Sequence, residues 1–147
     1  VFDYLSETGQ LSAALEEKRE SVALWERMRR RSDELSAECP PKVRAQVIAS
    51  VNYGWTLFTA IAAGWEVLIA GYIKPDSDAL GDLIETFHKA WNAHIEFCRE
   101  TPEAATPYRA EGWNWPGTPP TPGLWASVEA LANLGDYGLH LSAFDSI

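Results

Sequence analysis

The chain has 147 residues and a mass of 16.3 kDa, with 46% hydrophobic and 22% charged residues, enough apolar material for one domain with a real core. Twelve basic and 21 acidic residues leave a formal charge of −9, a field that repels phosphate and argues against nucleic-acid binding over a broad face. Global disorder, collagen and a small disulfide scaffold are excluded as well.

The only methionine is Met28, and the chain opens Val1-Phe2-Asp3-Tyr4. Translation starts at Met, so the sequence reads as a processed product, or as a fragment or subunit of a larger protein. Two cysteines, Cys39 and Cys98, stand at a spacing that matches no metal or redox motif. Nothing marks a compartment; a soluble, cytoplasmic protein is the expectation.

Proline placement divides the chain. Pro40, Pro41 and Pro75 separate long helix-compatible runs, and six prolines crowd between Pro102 and Pro122. The first run predicts a helix over about 8–37, with Thr8 as N-cap. Leu11, Leu15, Val22, Trp25, Ser32 and Leu35 recur at helical spacing as one apolar stripe. Its charges are sorted along the axis. Glu16, Glu17 and Glu20 come first, and Arg27, Arg29, Arg30 and Arg31 follow, an order that suits the helix dipole and allows a Glu26–Arg30 pair.

The second run predicts a helix over 41–73, opened by Pro41. From Val47 to Ile73 its only charge is Glu66. Such a stretch is long enough to span a bilayer. A Glu at midspan is costly in lipid, so a central helix wrapped by protein is the preferred reading, and a membrane-embedded subunit the alternative. Gly54, Ala60, Ala63 and Gly64 would let neighbouring helices come close.

A third helix is predicted over about 78–100, its apolar face made by Leu80, Leu83, Ile84, Phe87, Trp91, Ile95 and Cys98. Residues 101–123 hold six prolines and three glycines with Tyr108, Trp113 and Trp115. This composition excludes helix interior and predicts an ordered extended loop. A shorter helix over about 124–134, with Trp125 on its apolar face, and an extended tail over 136–147 complete the chain. The fold class expected is all-α: a single domain, an antiparallel bundle of about four helices.

No specific catalytic signature stands out. There is no Gly-x-Ser-x-Gly elbow, P-loop or Gly-x-Gly-x-x-Gly run. Two candidate sites remain. Glu85 and His88 stand at i,i+3, the spacing used in di-iron and di-manganese bundles. Glu66, and Glu26 from the first helix, would supply further carboxylates for iron, manganese or zinc, and a homodimer would supply the second copy of the motif. His94 and Cys98 at i,i+4 offer two zinc ligands, too few for a structural site. The second candidate is aromatic: Tyr108, Trp113, Trp115 and Trp125 as an interface or a ligand platform. Seven tryptophans and an apolar second helix that needs cover favour a non-catalytic interaction or assembly module. Its partner would be another protein or a second copy, with no cofactor favoured and the metal-binding bundle as the alternative.

Overall fold

The computed structural model describes residues 2–73 and 79–101. They form four helices in chain order: α1 (Phe2–Glu7), α2 (Leu11–Leu35), α3 (Pro41–Ile73) and α4 (Ala79–Glu100). No strand occurs among the described residues, and the class is an all-α bundle. Of the predicted loop 101–123 only Thr101 is among them; the predicted last helix 124–134 and tail 136–147 lie outside.

The first predicted helix, 8–37, corresponds to α2, and a short helix that was not expected, α1, precedes it. Gly9 takes φ +68°, a left-handed conformation that glycine adopts without strain. Its N–H donates to the Ser6 carbonyl at 3.0 Å, and the Gln10 N–H to the Leu5 carbonyl at 2.6 Å. This pair of bonds is a Schellman closure of α1. Thr8, expected as an N-cap, instead donates its hydroxyl back to the Tyr4 carbonyl at 2.7 Å. Helix α2 therefore starts at Leu11, with Gln10 at the cap position making no side-chain capping bond.

The α2–α3 connection is short. The N–H of Ser36 donates to the Ser32 carbonyl, and that of Cys39 to the Ser36 carbonyl, each at 3.0 Å. Pro41 then occupies the first turn of α3, where a missing N–H costs nothing.

Helix α3 is the shared partner. It packs against both α2 and α4, which have hardly any contact with each other. From Val51 to Tyr72 no residue of α3 is exposed. On one side Trp25 of α2 stacks on Phe58 at 5.5 Å and lies over Gly54, where any side chain would collide with the indole. Arg29 covers the Trp55 ring at 4.1 Å, and Arg19 Nε donates to Glu66 Oε1 at 2.8 Å. These contacts run in opposite chain directions, so α2 and α3 are antiparallel. On the other side Val67, Leu68 and Ile69 pack with Leu80, Phe87 and Trp91 of α4 in one core cluster. Tyr53, Leu57 and Cys98 form a second cluster at the far end.

Helix α3 meets the length and hydropathy criteria for a membrane span. Somewhat under half of its most apolar stretch is buried, and its midspan carboxylate is paired with Arg19.

Candidate functional site

Two features combine position with chemistry: a buried polar cluster between α3 and α4, and an open apolar groove between α2 and α3.

The polar cluster centres on His94. It is completely buried. Thr56 Oγ1 lies 3.0 Å from the Asn52 carbonyl and 2.8 Å from His94 Nδ1. A hydroxyl has one proton. With that proton donated to the helix carbonyl, the oxygen accepts from Nδ1–H, which leaves Nε2 bare. Nε2 faces Cys98 Sγ at 3.9 Å, and the Tyr53 ring meets the imidazole edge-on at 5.1 Å. Burial pushes the His94 pKa down to about 4, because the charged form would lose its hydration. His94 is thus neutral at pH 7. Cys98 is buried, as its place on the apolar stripe implied. The neutral imidazole of α4, bonded to Thr56 of α3, clasps the two helices together.

The proposed metal ligands do not converge. Glu66 binds Arg19 across the α2–α3 contact. Glu85 is exposed on α4 and pairs with Lys89 at 2.6 Å, whose ammonium lowers the Glu85 pKa. His88 is half-buried one position beyond Phe87, its ring centroid 5.8 Å from that of Phe87. Glu26 pairs with Arg29 and Arg30, the second as the i,i+4 spacing foretold. Among the described residues no three His, Cys, Asp or Glu lie close enough together to hold an ion. The aromatic candidates Tyr108, Trp113, Trp115 and Trp125 lie outside the described residues.

The groove was not foreseen. It runs between the second half of α2 and the first half of α3, encloses about 650 Å³, and is lined by Arg27, Met28, Arg31, Leu35, Val47 and Val51 with Ser32, Ser36 and Cys39 at its floor and end. Leu35, assigned to the core stripe from its spacing, is 67% exposed; Leu24 is 50%, Met28 40% and Val47 37% exposed. Leu35 misses the core because helical rotation turns it outward, while Ser32 and Ser36 on either side of it are buried. Leu24, Met28 and Leu35 recur at steps of four and seven, so α2 carries a second, outward apolar stripe beside its core stripe. That spacing is the signal that finds the groove. Arg27 and Arg31 flank the stripe, and among the described residues neither makes an ion pair. A concave apolar trough with charge along one edge is suited to seating a helix by its apolar face.

No known protein family matches the chain, and no curated protein or solved structure matches it. Function therefore rests on this geometry.

Proposed function

We propose that the protein is a non-catalytic helical assembly module that seats a helix of another polypeptide in the α2–α3 groove. The observation that carries this reading is the outward stripe of Leu24, Met28 and Leu35 beside Val47, an apolar surface that α3 and α4 leave uncovered. Contiguous exposed apolar surface of this kind is costly in water and marks contact sites.

Photo-crosslinking tests the reading. A photoreactive residue replacing Leu35 in the full chain, activated in cells, should yield a product heavier than the chain, identifiable by mass spectrometry. A Met28→Asp substitution in the same chain should abolish that product. Crosslinks confined to single chains would contradict the proposal.

A further inference from the structure

The outward face of α2 is complementary to itself. On a helix of 3.6 residues per turn, Glu17, Glu20, Leu24, Arg27, Met28, Arg31 and Leu35 fall within one face. All are exposed. Acidic residues occupy its first half and basic residues its second, with Leu24 at the centre. A surface depression lined by Glu17, Glu20, Leu24 and Arg27 continues into the apolar groove through Arg27, which lines both.

We infer that the occupant of the groove region is a second copy of this chain, paired antiparallel through α2 about a two-fold axis near Leu24. This rests on the assembly reading above and names its partner. In that register the two Leu24 side chains meet at the axis. Arg31 faces the partner's Glu17, Arg27 lies beside the partner's Glu20, and Leu35 reaches the partner's Ala13, a small exposed residue. Seven-residue spacing places Glu20 and Arg27 on one edge of the face and Met28 and Leu35 on the other, the edge next to Val47. Each copy therefore offers an ionic edge and an apolar edge, and the two-fold axis brings like edges together, as an isologous contact requires. A parallel pairing would instead set Glu17 and Glu20 against themselves and Arg27 and Arg31 against themselves. Charge order thus selects direction, as flanking charges do in coiled coils.

Sedimentation velocity on the full chain tests this with charge reversals. The wild-type chain should sediment as a dimer of twice 16.3 kDa, with dissociation promoted by salt. One variant carries Arg27→Glu and Arg31→Glu, the other Glu17→Arg and Glu20→Arg. Each alone should dissociate at least tenfold more readily, because like charges then meet across the axis, and circular dichroism should show unchanged helix content since all four sites are exposed. Mixing the two variants one to one should restore the dimer as a heterodimer. A wild-type chain that stays monomeric at high concentration overturns the inference, as does a dimer that both variants leave intact, or a mixture that stays monomeric. If crosslinking from Leu35 captures a different protein while the chain sediments as a monomer, the assembly reading stands and self-pairing falls.

Discussion

Gly54 is the position where α3 admits α2, and Gly54→Ala measures how firmly the two helices are seated. A Cβ built there lies 2.4 Å from two atoms of the Trp25 ring and 2.7 Å from a third. Ordinary contact between carbons is about 3.5–4.0 Å, so the indole must retreat by roughly 1 Å. Its stacking on Phe58 at 5.5 Å resists that retreat, and any retreat opens the contact beneath it. Overpacking of this kind costs about 1–3 kcal/mol. Replacing glycine by alanine inside a helix returns about 1 kcal/mol. The net expectation is a loss of about 0–2 kcal/mol, read as a lower urea midpoint with an unchanged slope. Trp25→Leu in the same background removes the obstructing ring, so alanine at 54 should then be neutral or stabilising. The double-mutant cycle should give a coupling of at least about 1 kcal/mol. A Gly54→Ala chain as stable as the wild type, with no coupling to Trp25, would show that α2 does not lie across α3 as described.

His94 supplies a pH dependence. Its folded pKa of about 4 lies below the ordinary 6.5, so the unfolded chain takes up the proton first. Its contribution is whole above pH 6.5, is lost as pH falls toward 4 and levels off below that, in total about 3 kcal/mol; urea titrations at pH 7.5 and 4.5 should show the loss shrinking in His94→Phe. Thr56→Val deletes the oxygen 2.8 Å from Nδ1 and leaves a buried imidazole nitrogen unsatisfied, an expected cost of about 1–3 kcal/mol by chemical denaturation. Phe87, wholly buried against Trp91, should cost about 3–5 kcal/mol on truncation to alanine, measured the same way. Breaking the Arg19–Glu66 pair by Arg19→Ala should cost no more than about 1 kcal/mol, because both side chains are partly solvated.

Local signals made most of the fold legible. The prolines fix the start of α3 at Pro41, and α4 runs to Glu100, just before Pro102. The buried face of α4 at Leu80, Phe87, Trp91 and Cys98 follows directly from the helical period. What escaped depended on neighbours. The break at Gly9 lies in a polar stretch where one glycine does not announce a left-handed turn. The partner of Glu66 is Arg19, 47 residues away in sequence, so a buried-looking carboxylate suggested a metal when a distant arginine was its answer. Two apolar stripes share α2, and sequence alone does not say which of them faces α3. Leu35 was misplaced for that reason, and the groove beside it went unseen.

The account depends most on α3 being enclosed by protein. Amide hydrogen exchange on the full chain in detergent-free buffer tests this residue by residue. Amides from Tyr53 to Ile69 should be the slowest in the chain and should exchange only on global unfolding, while the exposed first turns of α3, from Val43 to Val47, exchange far sooner. Uniformly fast exchange along α3, or protection that appears only when detergent is added, would contradict it.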